Sequence, residues 1–184
     1  MLPFARRAGL DRLPLRRRSS FDPPVIPAQS VLLPVLSVMI ASLAPAFVPA
    51  IASTPLLPPF GLLAFLAWRL LRGEVWPLWI GLPLGLWDDL FSGNSLGTAA
   101  AAWTALLLLL DVVDRRLPFR GVRTGMVIAA IGTALFLLVA LLLARGAGGV
   151  TTPLLLLPQL ILSVLVFPFI QRACARVDKW RRGP

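Results

Sequence analysis

Charged residues along this chain are spaced so that long apolar intervals lie between them. Residues 23–68 hold no Asp, Glu, Lys or Arg over 46 positions, and residues 90–110, 124–144 and 146–171 are further uncharged runs of 21, 21 and 26. A charge at the centre of a bilayer costs at least about 2.5 kcal/mol, so such runs mark where a chain can enter lipid. At about 1.5 Å rise per residue, each of the three shorter runs supplies one crossing of a hydrocarbon core about 30 Å thick. The longest run supplies two, broken in the proline-rich stretch from Ala44 to Pro59. The pattern predicts helices near 31–50, 55–71, 96–113, 124–143 and 153–172.

Val75–Trp87 is the ambiguous interval, since its 13 residues between Glu74 and Asp88 fall short of a crossing unless the acids lie within the membrane boundary. The basic residues decide it, because cytoplasmic loops concentrate Lys and Arg. With a sixth helix near 75–91 and a cytoplasmic amino terminus, 17 of the 18 basic residues fall on one side. They are six arginines in the tail 1–30, then Arg69 and Arg72, then Arg115, Arg116, Arg120 and Arg123, and five in the tail 173–184 and just before it. Arg145, in the glycine-rich connection Arg145–Gly149, is the exception. The expectation is therefore an all-α integral membrane protein of six transmembrane helices in a compact bundle spanning 31–172, with both termini cytoplasmic. The tail 1–30 is Arg/Pro-rich and reads as extended; 173–184 reads as a second basic tail, and Arg172, Arg176 and Lys179, at helical spacing with Val177 and Trp180 between them, suit an interfacial helix end on anionic lipid.

Composition agrees with that pattern and narrows the chemistry. Of 184 residues, 58% are hydrophobic and 14% charged, with a mean hydropathy of +0.84. A water-facing surface needs about 25% charged residues, so the solvent for most of this surface is lipid. The net charge of +10 would suggest nucleic acid in a soluble protein. In a membrane protein it reports topology and attraction to anionic lipid, and no nucleic-acid partner is expected. Histidine and tyrosine are absent and Cys174 is the single cysteine, which excludes a disulfide framework, a Cys/His metal cluster and a histidine base or triad. No catalytic, cofactor or metal residues are expected, and the chain reads as a non-enzyme.

The least generic sequence is Gly81-Leu82-Pro83-Leu84-Gly85-Leu86-Trp87-Asp88-Asp89-Leu90-Phe91-Ser92-Gly93-Asn94-Ser95-Leu96-Gly97, joining the third and fourth helices. Gly81, Gly85 and Asp89 recur at i, i+4 and i+8, so they share one helix face on which the glycines admit a neighbouring backbone. Asp89 should then face protein. An ionisable group near membrane depth is a candidate functional residue. Asp88, turned about a quarter-circle away, is expected to be wet. Ser92-Gly93-Asn94-Ser95 is turn chemistry, in which Gly93 supplies positive φ and Asn94 or Ser95 can cap the next helix. Asp89 can also accept from that helix's free amides. Capping and partner contact are both open readings for it; paired-carboxylate catalysis is disfavoured, because adjacent helical residues point apart.

The pattern Gly-x-x-x-Gly-x-x-x-Asp-Leu-x-Ser-Gly-x-x-Leu-Gly, midway along a small and very hydrophobic chain, resembles the MreD family of bacterial rod shape-determining membrane proteins. The match falls on Gly81, Gly85, Asp89, Leu90, Ser92, Gly93, Leu96 and Gly97, and is close over about residues 58–110. The doubled acid at Asp88 and the Arg/Pro-rich tail depart from it. The resemblance implies a non-enzymatic inner-membrane component of the cell-wall elongation machinery that maintains rod shape. Its implied partners are MreC and, with it, RodA, the elongation transpeptidase and the MreB filament. The family's fold is similar to the six-helix substrate-binding subunits of energy-coupling-factor transporters, and a small-molecule-binding transporter component is the alternative function.

Two further groups are expected to act in packing. Gln159 and Ser163, one turn apart on the last helix, suit interhelical hydrogen bonds, and Gly121, Gly125, Ala129 and Gly132 form a small-residue stripe on the fifth.

Overall fold

A computed structural model describes residues 28–47, 57–73, 76–93, 95–116, 122–146 and 156–182. Six principal helices follow one another: α1 (Ala28–Ser42), α2 (Phe60–Leu71), α3 (Gly81–Ser92), α4 (Thr98–Arg116), α5 (Val122–Gly146) and α6 (Leu157–Arg182). The described residues contain no strand. The architecture is thus all-α. Two of the helices, over Arg123–Gly146 and Leu157–Trp180, are long and apolar enough to cross a membrane by themselves. Residues 1–27 of the amino-terminal tail, residues 48–56 of the break between the first two predicted helices, Asn94, Arg120 and Gly121 lie outside the described residues.

The centre of the bundle is α2. Its sequence, FGLLAFLAWRLL, has no polar face, and Gly61 through Trp68 are all buried. A helix that is apolar all round is stable only where neighbours cover every side. Here α1, α5 and α6 pack on it, while α3 bridges α1 and α4, and α5 lies between α4 and α6. Phe65 stacks on Trp103 of α4 at 4.8 Å between ring centroids and meets Trp76 at 5.2 Å. Ser37 ties α1 to this core: its hydroxyl donates to the Pro34 carbonyl (2.8 Å) and accepts from the Trp68 indole (2.7 Å). On α5, Gly125 faces Phe167 and Gln171 of α6, whereas Gly132 lies against Leu66 and Leu106. The described members of the small-residue stripe are therefore spent on helix packing within the chain.

Several boundaries differ from the pattern of charges: the first helix runs from Ala28 to Ser42 with one further turn at Ala44–Phe47, the second starts at Phe60 after non-helical residues 57–59, and two larger differences follow. The third segment does not begin as a helix: Trp76 is buried, Pro77 is extended (φ −65°, ψ 148°), Leu78–Ile80 form a 3-10 turn, and only then does α3 start. Extended and 3-10 backbone rise about 3.1 and about 2.0 Å per residue, so 76–92 reach roughly 30 Å where a short α-helix would not.

The last helix runs on to Arg182, through what the charge pattern assigns to a tail. Cys174 and Asp178 are buried, because this extension packs against the end of α2. Arg72 Nε lies 3.1 Å and 3.2 Å from the two Asp178 carboxylate oxygens. Arg69 pairs with Asp114 at 2.8 Å. These two pairs join the carboxyl-terminal ends of α2, α4 and α6 at one end of the bundle. At the other end, Gln159 near the start of α6 donates to the Leu57 carbonyl ahead of α2 (2.7 Å).

Candidate functional site

The motif segment is assembled by contacts that each answer an unmet backbone need. α4 begins after Gly97, whose φ of 96° places it in the left-handed region and which carries no side chain to cap the helix. The first amides of any α-helix have no intrahelical acceptor. Asp89, on the preceding helix, supplies it: Oδ2 accepts from Gly97 N (2.8 Å) and Ala100 N (3.3 Å), and Oδ1 accepts from Ala99 N (2.8 Å). The remaining amide, Thr98 N, donates to the Ser95 carbonyl at 3.1 Å. Charge-assisted bonds of this length contribute about 1.5–3 kcal/mol each, and a carboxylate also favours the positive end of the helix dipole.

Asp89 reaches those amides because α3 and α4 lie in backbone contact. A Cβ at Gly85 would stand 2.5 Å from both Cα and N of Ala100, and one at Gly81 would be 3.1 Å from the backbone of Thr104. The seam Gly81, Gly85, Asp89 is thus a single strip laid on α4, with the acid at its open end. Gly93 closes α3 in the left-handed conformation (φ 71°, ψ 9°), which reverses the chain within a few residues. Ser95 and Thr98 complete the turn: their hydroxyls are 2.8 Å apart, and Thr98 Oγ1 donates to the Ser95 carbonyl at 2.7 Å. The cap of α4 therefore comes from Asp89 and the Ser95 carbonyl.

Asp88 is a correction. The quarter-turn offset from Asp89 predicts exposure to water, yet Asp88 is as buried as Asp89, each at 4%. The reason is tertiary: α3 lies between α4 and α1, and its Asp88 side reaches Gly61 of α2, so adjacent residues each meet protein. The Asp88 carboxylate and the Ser42 hydroxyl converge over Gly61, where a Cβ would collide with both. Next to it, the Trp87 indole donates to the Met39 carbonyl (3.3 Å). That carbonyl is released because Leu43 N turns to Ile40 O (3.1 Å) as α1 ends. Trp87, Asp88 and Asp89 thus grip the end of α1 and the start of α4 from a single turn of α3.

The remaining site residues divide by exposure. Gly81 and Gly85 are buried with the two acids inside the chain, Ser92 and Gly97 are half-buried, and Gly93 and Leu96 are exposed. The buried four face this chain's own helices, so in this conformation they form no surface for another protein. Gln159 makes the tertiary hydrogen bond expected of it, whereas buried Ser163 bonds its own helix through the Gln159 carbonyl at 2.6 Å. Sequence reasoning missed Trp87, Ser42 and Gly61; the close spacing of Trp87 to the acids was the available signal for the first, and no local pattern marks the other two. Among the described residues no group of three or more His, Cys, Asp or Glu side chains could hold a metal ion.

What the arrangement does chemically is hold helix ends together. No family model matches the chain, and neither a curated protein nor a solved structure matches it.

Proposed function

We propose that the chain is a multi-pass membrane scaffold of the MreD type. In this reading it sits in the bacterial inner membrane with both termini cytoplasmic. It maintains rod shape by binding MreC and organising RodA and the elongation transpeptidase, with the MreB filament reached through the complex. The observation that carries the reading is the α3–α4 seam. The residues of the family-like motif, Gly81, Gly85, Asp89, Gly93 and Gly97, hold connected structural roles at one junction. A fortuitous string of small and acidic residues would have no reason to do so.

The outer surface supports a lipid environment. The candidate spans on α5 and α6 are only 39% and 17% buried, whereas an apolar core helix of a water-soluble protein is mostly covered. Large apolar side chains are exposed on every principal helix but the central α2, among them Leu36, Leu86, Leu108, Leu138 and Leu165. Large apolar side chains exposed on this many helices mark a surface for lipid or protein rather than for water. The two ion pairs join the ends of α2, α4 and α6, which is the side that the basic residues assign to the cytoplasm.

Because the motif is consumed within the chain, partner contact in this proposal falls to the outward helix faces, and the motif acts by presenting them. Crosslinking in native membranes, followed by affinity capture of a tagged copy, tests the function. Recovery of MreC and the elongation synthases supports the scaffold. Recovery of an ATPase pair with a coupling membrane subunit instead would replace it with the transporter reading.

A further inference from the structure

The charged residues of the α6 extension are sorted by sign. Its single acid, Asp178, is turned inward and held by Arg72, while Arg172, Arg176 and Lys179 are exposed and hold no ion pair among the described residues. Phe169 and Trp180, exposed by 67% and 82%, lie on that same outward face at helical spacing, and the Arg172 guanidinium rests 6.0 Å from the Phe169 ring centroid. The outward face thus carries cations and aromatics without a compensating carboxylate.

Its depth follows from the packing. Gly125 of α5 stands level with Gln171, since a Cβ there would be 3.3 Å from Gln171 Oε1. From that level α5 extends back only to Val122, whereas α6 continues to Arg182. At about 1.5 Å per residue this leaves roughly 16 Å of α6 beyond Gln171, against roughly 4 Å of α5. A helix of 26 residues is about 39 Å long and exceeds the hydrocarbon thickness by several ångströms. Indoles prefer the headgroup level, and arginine forks suit phosphate oxygens.

We infer that the outward face of the α6 extension, Phe169 with Arg172, Arg176, Lys179 and Trp180, is a docking surface for anionic phospholipid headgroups that sets the depth of the bundle. The inference rests on the membrane reading above. Three cations without counter-ions among the described residues complement a negatively charged leaflet, and the Arg72–Asp178 pair keeps the helix rotated so that all three face it.

The test reconstitutes the full chain in phosphatidylcholine vesicles. Spin-labelled phosphatidylglycerol and spin-labelled phosphatidylcholine then give the relative association of each lipid with the protein. The wild type is expected to prefer phosphatidylglycerol. The combined variant Arg172→Gln, Arg176→Gln, Lys179→Gln should lose that preference by between about fivefold, one charge's worth, and about a hundredfold, three charges' worth. Arg145→Gln, an exposed cation at the far end of α5, should leave it unchanged. If the combined variant does not reconstitute, the wild type in about 1 M salt, where screening acts within about 3 Å, should show the same loss. A preference that survives the three substitutions or the salt, or that falls equally with Arg145→Gln, overturns the docking surface. Incorporation without any preference overturns it too and leaves the membrane reading standing. Failure of the wild type to resist carbonate extraction from native membranes overturns the membrane reading itself.

Discussion

Replacing Asp89 should destabilise the bundle more than any other single change to a carboxylate. Three amides at the start of α4 donate to it, two at 2.8 Å and one at 3.3 Å. In Asp89→Leu the two short bonds vanish, leaving the buried Ala99 amide and the half-buried Gly97 amide without their acceptor, at about 1.5–3 kcal/mol each, for a total of about 3–6 kcal/mol. The longer bond adds little. Asp89→Asn keeps one acceptor oxygen but turns an amide group toward the donors, so its cost should be about 2 kcal/mol. Asp88→Asn is the control: the same chemical change one residue earlier faces the Ser42 hydroxyl rather than backbone amides and should cost under about 1 kcal/mol. Equilibrium unfolding by SDS titration from maltoside micelles, followed by far-UV circular dichroism, reads all three. Since whole domains are held by about 5–15 kcal/mol, Asp89→Leu should shift the midpoint strongly. An Asp89→Leu protein within about 1 kcal/mol of the wild type, or an Asp88→Asn protein as weak as Asp89→Asn, would refute the capping role.

The same titration checks three further expectations. Gly85→Ala should cost about 1–3 kcal/mol or more, because its Cβ meets backbone atoms of Ala100 that cannot turn aside, while Gly146→Ala, in open space, should be neutral. Asp178→Ala should cost about 2–4 kcal/mol and Asp114→Ala under about 1 kcal/mol, since Asp178 is 3% exposed and Asp114 is 41% exposed. Truncation after Gln171 should lower the thermal midpoint in detergent, as it removes buried Cys174 and the partner of Arg72, whereas deletion of residues 1–24 should leave it unchanged.

Much of the fold was legible because a charge is costly to take out of water, so it is kept out of the apolar helix runs. Charges are excluded from long runs, and the gaps between them mark the six helices to within a few residues for α4 and α5. The seam was legible for a related reason: residues four apart share a face, so Gly81, Gly85 and Asp89 had to meet one neighbour together. Gly93 announced a reversal because no other residue takes a left-handed backbone so cheaply, whereas the same conformation at Gly97 is a finding of the structure.

Where local pattern fell short, the cause was always a distant residue. Asp88 is buried because α1 and α2 arrive from some 30 to 45 positions earlier, and only their packing places Ser42 and Gly61 against it. The basic carboxyl-terminal stretch is a folded helix because Asp178 meets Arg72 across 106 residues. The third segment opens with extended and 3-10 backbone ahead of α3, where Trp76 packs beside Phe65 of a helix earlier in the chain. Periodicity and charge report how each segment divides its faces between environments, and this the sequence determined by itself. Which helix lies against which face, and so which polar group finds its partner, is a property of the assembled bundle, and there only the tertiary structure decided.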